Sequence, residues 1–281
     1  MPLSDDLPAA LPPGAVSAEA VTLPFGGVPR PGQRLVPEEV PVNITYATVP
    51  YAVMMATPAD LEDFAYGFSL TEGVIAGAAD IRAVSIEAEA RGLRLQVDLV
   101  PARLHAHLAR RRSMVGRTGC GLCGIEDLDD LPQAASPTGP APALSLAALR
   151  RALSALETRQ ALGDATRGVH AAGFATAAGE LALLREDVGR HNALDKLAGA
   201  MLRGGMPAGE GFVIVTSRCS FEMVEKAAAM GARALVAISA PTSLALERAR
   251  QHDMILLAIA RRDAVTAFHG AERLRAEGDA A

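Results

Sequence analysis

In the second half of the chain, short apolar runs of strand length alternate with longer amphipathic stretches of helical period. Strands that alternate with amphipathic helices predict an α/β sheet with parallel neighbours. In such sheets the loops beyond the carboxyl ends of the strands collect ligands. The predicted strands are 180–184, 211–216, 235–238 and 254–259, the helices are 190–202, 220–230 and one opening at Pro241, and the loops are 185–190, 217–220, 239–243 and 261–263.

The first half has a different character. Its first residues are rich in Pro, Gly and Ala and follow no helical or strand period, which predicts a mobile tail. A strand is predicted at 40–48, a helix with Thr57 as N-cap and Pro58 at its first position, and two strands within 81–100. The predicted division is a flexible tail at 1–36, an N-terminal α+β part at 37–115, a mobile cysteine loop with a proline-rich linker at 116–142, and an α/β domain at 143–281.

Composition narrows the classes of function. Half of the residues are hydrophobic and the formal net charge is −5, so a broad nucleic-acid-binding surface is not expected. No apolar stretch is long enough to cross a bilayer, and the first residues carry acids and prolines rather than a secretion signal. We therefore expect a cytoplasmic protein, without nucleic-acid or membrane partners, in which cysteines stay reduced.

Two of the three cysteines lie in the run Thr118-Gly119-Cys120-Gly121-Leu122-Cys123-Gly124. A Cys-x-x-Cys pair in a reducing compartment indicates metal, redox or sulfur chemistry. A four-ligand zinc site usually shows a second pair at ligand spacing, whereas here only Cys219 and scattered histidines remain. A thioredoxin-like pair would open a helix, whereas flanking glycines favour an accessible loop. A thiolate in such a loop can accept a sulfur atom and become a persulfide.

Two further groups of polar residues lie in the predicted loops. At the junction 185–196, Arg190 and His191 can bind an anion, although an ion-paired amphipathic helix would explain the same pattern. Hydroxyl and cationic groups start two further helices, and they serve either as helix caps or as a phosphate cradle. The residues in question are Ser217, Arg218, Ser239 and Thr242. His170 stands alone in an apolar stretch, where a histidine is more often a core residue than a catalyst.

Together these blocks resemble the FdhD/NarQ family of formate dehydrogenase accessory sulfurtransferases. The resemblance runs from about Glu38 to Leu274, and the order and spacing of the blocks make it specific. The blocks are Thr57-Pro58 with Asp60-Leu61-Glu62, Gly67 to Glu72-Gly73, Cys120-Gly121-Leu122-Cys123-Gly124, Gly168-Val169-His170-Ala171, Arg185 to Asn192 with Asp195-Lys196, and Ser239-Ala240-Pro241-Thr242.

The resemblance implies a sulfur carrier. A cysteine desulfurase would load a persulfide onto Cys120, with Cys123 as its helper. The sulfur would then pass to the molybdenum of a bis(molybdopterin guanine dinucleotide) cofactor before that cofactor enters the formate dehydrogenase catalytic subunit. Members are dimers with a three-layer α/β/α, cytidine-deaminase-like domain containing a mixed sheet, plus a smaller N-terminal α+β part.

The resemblance also places the cofactor-binding segment, and a guanine nucleotide is expected to mimic the cofactor there. The segment is Ile259, Ala260, Arg261, Arg262, Asp263 and Ala264. Here the chain departs from the family, which often has an aromatic residue followed by Arg-Gly. It also reads Thr216-Ser217-Arg218-Cys219-Ser220 where the family often has Ser-Gly-Arg-x-Ser.

Two other classes of function are compatible with parts of the sequence. A zinc-dependent deaminase would need a Pro-Cys-x-x-Cys motif preceded by a His or Cys with a catalytic Glu. Gly119 occupies the proline position and no such preceding motif exists, so no metal site is predicted. A non-catalytic chaperone that binds the cofactor through the same loops remains open as the alternative.

Overall fold

The computed structural model describes residues 10–111 and 133–275. The strands are β1 (Ala15–Thr22), β2 (Arg30–Pro37), β3 (Val40–Tyr46), β4 (Val49–Ala56), β5 (Ile81–Glu89), β6 (Gly92–Leu99), β7 (Leu144–Ser145), β8 (His170–Thr176), β9 (Leu181–Asp187), β10 (Gly211–Val215), β11 (Ala234–Ala237), β12 (Ile255–Ala258), β13 (Thr266–His269) and β14 (Leu274–Arg275). The helices are α1 (Leu61–Thr71), α2 (Pro101–Arg111), α3 (Leu146–Arg159), α4 (Ala161–Thr166), α5 (Arg190–Arg203), α6 (Phe221–Ala229) and α7 (Ser243–Gln251). Within these ranges no helix combines the length and apolar character needed to cross a membrane.

Strands β1 and β2 form an antiparallel hairpin, so the prediction of a tail without regular structure over 1–36 is wrong from Ala15 onward. Apolar and polar residues do not alternate along the hairpin, and its apolar side chains are largely exposed, among them Val21 and Phe25. Backbone pairing therefore holds a hairpin that a hydrophobic period could not reveal.

The N-terminal α+β part is a four-stranded sheet in the order β4-β3-β6-β5 with α1 packed on it. The predicted strand at 40–48 and the predicted hairpin within 81–100 are confirmed by β3, β5 and β6. Strand β4 was not predicted. The helix begins at Leu61 rather than beside Thr57, with Asp60 at its N-cap in the left-handed conformation. The hydroxyl of Thr57 instead accepts from the backbone N–H of Val188.

The α/β domain is built on a six-stranded mixed sheet in the order β13-β12-β11-β10-β8-β9. The three central strands β10, β11 and β12 are parallel, while β8 and β13 run antiparallel to their neighbours. Helices α5, α6 and α7 cover one face, and α3 covers the other. The predicted three-layer α/β/α arrangement with a mixed sheet is therefore confirmed.

A close crossing of α1 and α5 joins the N-terminal part to the α/β domain. A Cβ atom on Gly67 would overlap the backbone oxygen of Asp195, and one on Gly199 would overlap the backbone oxygen of Asp63. The two helices therefore approach each other at glycines, where neither backbone is separated from the other by a side chain.

Candidate functional site

The polar loops predicted from the sequence meet along one edge of the six-stranded sheet. Because β9, β10, β11 and β12 run in the same direction, the loops after them lie side by side. The N–H of Ile259 donates to the oxygen of Ser239 at 3.2 Å, and the N–H of Thr242 donates to the oxygen of Cys219 at 2.9 Å. Backbone hydrogen bonds thus join the loops after β10, β11 and β12 into one surface.

The loop after β12 faces α3 across an arginine-lined groove. The groove has two adjoining cavities of about 440 and 280 Å³, and Arg150, Arg261 and Arg262 line both of them. The smaller cavity reaches the carboxyl edge of the sheet at Thr216 and Ile238. Cavities of this size hold small ligands, and the guanidinium groups favour an anion.

Within this loop the predicted residues have distinct positions. Ile259 has a positive φ of 53° and is exposed, while Ala260 is buried and its N–H donates to the oxygen of Ala237. The N–H of Arg261 donates to the oxygen of Ala264 at 2.8 Å, which closes the loop. The Arg261 guanidinium donates to the backbone oxygens of Ile238 and Ala260, the Arg262 side chain is 85% exposed, and Asp263 and Ala264 line the larger cavity.

Arg190 and His191 lie on the same edge of the sheet at the start of α5, a helix that covers the face opposite α3. The Nε2 atom of His191 lies 3.2 Å from Oε2 of Glu222, and both side chains are mostly buried. Burial alone would raise the pKa of Glu222, but the hydrogen bond and charge of His191 and the charge of Arg190 outweigh it and lower that pKa. This pair belongs to the edge of the sheet but does not line the groove beside α3.

His170 opens β8 close to these cations. It is half-buried, and burial lowers its pKa, helped by the positive charges of Arg190 and His191. The histidine is therefore neither a fully buried core residue nor freely exposed.

Other charged residues of the junction 185–196 are structural. Lys196 and Asp187 form an ion pair with no solvent exposure, at 2.6 Å between Nζ and Oδ2. Lys196 also donates to the backbone oxygen of Thr57, while Asp187 accepts from the N–H of Thr57 and the amide of Asn192. These residues fasten the segment that follows β4 to the α/β domain.

A second buried pair lies between α5 and α6. Nζ of Lys226 lies 2.9 and 3.0 Å from the two carboxylate oxygens of Asp195, which also accepts from the hydroxyl of Thr71. Burial alone would lower the pKa of Lys226, but the charges of Asp195 and Glu72 and the hydrogen bonds to both together outweigh burial and raise that pKa. The ion-paired reading of the junction is therefore correct for Asp195, Lys196 and Asp187, and Arg190 and His191 remain as candidates for ligand binding.

The predicted hydroxyl groups are partly committed to the fold. Thr242 accepts from the N–H of Ala245 and so caps α7. Ser217 is buried and its hydroxyl donates to the oxygen of Arg218, whose side chain is exposed. Ser239 accepts through its backbone oxygen from Ile259. Helix capping thus explains Thr242, and Arg218 is the exposed cation of its loop.

The cysteines separate into two groups. Cys120 and Cys123, together with the greater part of the predicted cysteine loop, lie outside the described residues. Cys219 is fully buried, and burial raises the pKa of its thiol to about 12. It is therefore a core thiol that stays protonated at neutral pH. Among residues 10–111 and 133–275, no three His, Cys, Asp or Glu side chains are grouped so that they could hold a metal ion.

Comparison with known proteins identifies the family. A sequence model described as the FdhD/NarQ family matches residues 37–275. The chain belongs to the FdhD/NarQ family. It is 47% identical over 252 residues to the sulfur carrier protein FdhD of Agrobacterium fabrum, which covers 88% of this chain and 92% of that one. It is 46% identical over 241 residues to the sulfur carrier protein FdhD of Bordetella parapertussis, with 86% and 87% covered.

A solved structure supports the same assignment of this FdhD/NarQ family member. The crystal structure of a protein from Desulfotalea psychrophila, described as a formate dehydrogenase accessory protein, superposes with a TM-score of 0.72. The sequence identity is 27%, and the match covers 94% of this chain and 100% of that one.

Three residues at the edge of the sheet were not predicted for this FdhD/NarQ chain: Arg150, Glu157 and Glu222. Arg150 and Glu157 lie on α3, which precedes the sheet in sequence and reaches the site only through packing on its far face. Glu222 is two residues beyond Ser220 in the first turn of α6. Its nearness to the predicted loop 217–220 is a sequence signal for Glu222, whereas nothing in the sequence connects α3 with the loop after β12.

Proposed function

We propose that this protein is a sulfur carrier in the maturation of formate dehydrogenase. In this proposal it accepts sulfur from a cysteine desulfurase as a persulfide on Cys120. It passes that sulfur to the molybdenum of a bis(molybdopterin guanine dinucleotide) cofactor before the cofactor enters the catalytic subunit. The shared name of the curated relatives, sulfur carrier protein FdhD, supports the proposal. We further propose that it works in the cytoplasm as a homodimer.

The burial of Cys219 carries the assignment of the sulfur to the cysteine pair. A sulfur carrier needs a thiolate that a partner protein can reach. Cys219 has no exposed surface and a strongly raised pKa, so it meets neither requirement. Of the three cysteines in the chain, Cys120 and Cys123 remain, and their glycine-flanked spacing suits such an exchange.

The transfer chemistry balances with these two thiols. The Cys120 thiolate attacks the terminal sulfur of the desulfurase persulfide, the sulfur–sulfur bond of the donor breaks, and the donor leaves as a thiolate. No net oxidation occurs in this exchange. Delivery as hydrosulfide needs two electrons, which the Cys123 thiolate provides by attacking the Cys120 sulfur. A Cys120–Cys123 disulfide then forms as hydrosulfide leaves toward the molybdenum.

The carboxyl edge of the sheet is the proposed cofactor-binding surface. The cofactor is the substrate of the reaction and carries phosphate groups and guanine bases. Arg261 and Arg262 with their loop, and Arg190, His191 and Arg218 further along the edge, offer cations for those phosphates. The groove beside α3 has the volume for part of a nucleotide.

The decisive experiment is intact-mass spectrometry after incubation with a cysteine desulfurase and cysteine. The wild-type chain should gain the mass of a sulfur atom, which a reductant removes, and Cys120→Ala should gain none. Cys123→Ala should still load sulfur but deliver it poorly to a cofactor-containing acceptor. A Cys219→Ala variant that loads like wild type is the matched control.

Loading of Cys120→Ala at the wild-type level would contradict the assignment of the persulfide to Cys120. If the wild type gains no sulfur but still raises formate dehydrogenase activity in a maturation assay, the protein acts as a cofactor-binding chaperone instead.

A further inference from the structure

Arg262 and Glu157 form an ion pair at the rim of the groove. The guanidinium of Arg262 binds both carboxylate oxygens of Glu157 on α3: Nε lies 3.0 and 3.1 Å from them, and Nη2 lies 2.9 Å from Oε2. A carboxylate held by two parallel N–H groups occupies the position that a phosphate group would take on the same guanidinium. Glu157 therefore occupies the Arg262 guanidinium to which an anionic ligand would bind.

The pair is easily broken. The Arg262 side chain is 85% exposed and the Glu157 side chain 46% exposed, and both also line the smaller cavity. Ion pairs with such exposure contribute little free energy because water and salt screen them. A phosphate group that arrives in the groove can thus replace the carboxylate with a small loss of affinity.

The remaining walls indicate what else the ligand must carry. On the α3 side, Leu146, Leu149 and Leu153 line the larger cavity together with Arg150, and Val265 closes it from the other side. An apolar wall suits the flat face of an aromatic base, whereas arginines suit phosphate. A phosphorylated nucleoside meets both demands, while a bare anion meets only the second.

We infer that Glu157 acts as an internal counter-anion which a phosphorylated nucleoside displaces from Arg262, and that Arg150 supplies a further phosphate contact. This inference rests on the proposed function because it concerns the same cofactor-binding surface. Displacement of Glu157 costs every anion the same small loss of affinity, so the contact with the leucine wall is what favours a nucleotide over a small anion. The leucine wall and the arginines together select a nucleotide over free phosphate.

Guanosine diphosphate titrated calorimetrically into the full chain tests the counter-anion. Glu157→Gln keeps the shape of the side chain but removes its charge, so we expect binding to tighten about two- to fivefold. The matched control Glu247→Gln removes a charge from α7 on the opposite face of the sheet and should leave the affinity unchanged. Unchanged or weaker binding by Glu157→Gln would overturn this role.

The same titration tests Arg150. Arg150→Ala should weaken binding about tenfold, because a charge-assisted hydrogen bond is lost, and Arg150→Lys should restore part of it. The adjacent Arg151 lines neither cavity, so Arg151→Ala is the control and should bind normally. Equal affinity of wild type and Arg150→Ala would exclude the phosphate contact.

The leucine wall is tested with inorganic pyrophosphate. It should bind at least tenfold more weakly than guanosine diphosphate, and equal affinity would remove the wall from the inference. If the wild type binds neither compound, the groove inference fails altogether. Failure of the proposed function is read separately, from the absence of sulfur loading on Cys120.

Discussion

Two clusters of charged side chains lie at opposite extremes of burial in the same domain. Lys196 and Asp187 have no exposed surface and bind each other and the backbone of Thr57. Arg262 is paired with Glu157 at the rim of the groove and is 85% exposed. In the sequence, both clusters include charged residues that follow a strand. Burial, and not residue type, therefore distinguishes the structural pair from the pair that is accessible to a ligand.

The physical reason is the cost of moving charge out of water. A buried ion pair is retained only when each charge has its partners, so it cannot release them to a ligand. An exposed pair gains little from its partner and exchanges it readily. The buried cluster therefore holds the fold, and the exposed cluster remains available for binding.

The largest expected effect is that of Lys196→Met. Removal of the ammonium leaves the Asp187 carboxylate buried without its cation, which should lower the free energy of unfolding by about 3–5 kcal/mol. Urea denaturation followed by circular dichroism measures this change. Arg262→Met makes the same substitution in the exposed cluster and should leave stability unchanged within the precision of the measurement. Equal losses in the two variants would remove the distinction between the clusters.

A smaller effect is expected for Gly199→Ala at the crossing of α1 and α5. The added Cβ overlaps the backbone oxygen of Asp63, so the helices must separate, at a cost of about 1–3 kcal/mol. Thermal unfolding measures the loss. Gly205→Ala is an unsuitable control because Gly205 has a positive φ, whereas Gly77→Ala adds a Cβ in open space. A Gly199→Ala variant as stable as Gly77→Ala would show that the crossing is not tightly packed.

Thr242→Ala tests a residue that sequence analysis placed among the cofactor contacts. Its hydroxyl accepts from the N–H of Ala245, so its removal should cost about 1 kcal/mol of stability. Because the hydroxyl is already committed to the cap, the affinity for guanosine diphosphate should stay within about twofold of wild type. Chemical denaturation and calorimetry on the same samples distinguish the two roles. A large loss of affinity with unchanged stability would return Thr242 to the binding site.

Much of the α/β domain was predictable because its strands and helices have clear periods. The strands at 211–216 and 254–259 and the helix at 190–202 correspond closely to β10, β12 and α5. The loops at their ends were therefore predictable as a connected edge as well. What these predictions used is local: apolar runs, helix periods and turn residues.

The rest depends on tertiary contacts that no local pattern carries. The start of α1 moved from Thr57 to Leu61 because Asp187, Val188 and Lys196 all bind the Thr57 segment. The groove escaped prediction because half of it is α3, more than a hundred residues before Arg262. The hairpin of β1 and β2 escaped because both of its faces lack an apolar alternation.

His170 lies between the two extremes and should give the smallest effect, visible only in the pH dependence of stability. Its pKa is lowered in the folded state by burial and then by Arg190 and His191, so the unfolded chain binds more protons below the ordinary value of 6.5. Stability should therefore fall as pH decreases from 6.5 toward the lowered pKa, and His170→Asn should flatten that slope.

Glu222 contributes separately: its pKa is also lowered, so its contribution is present above its ordinary value of 4.5 and is lost as pH falls through the folded-state pKa. Urea unfolding at a series of pH values measures both windows, with His105→Asn on the exposed side of α2 as the control. An unchanged slope below pH 6.5 in His170→Asn would mean that neither burial nor the neighbouring Arg190 and His191 lower the pKa of this histidine.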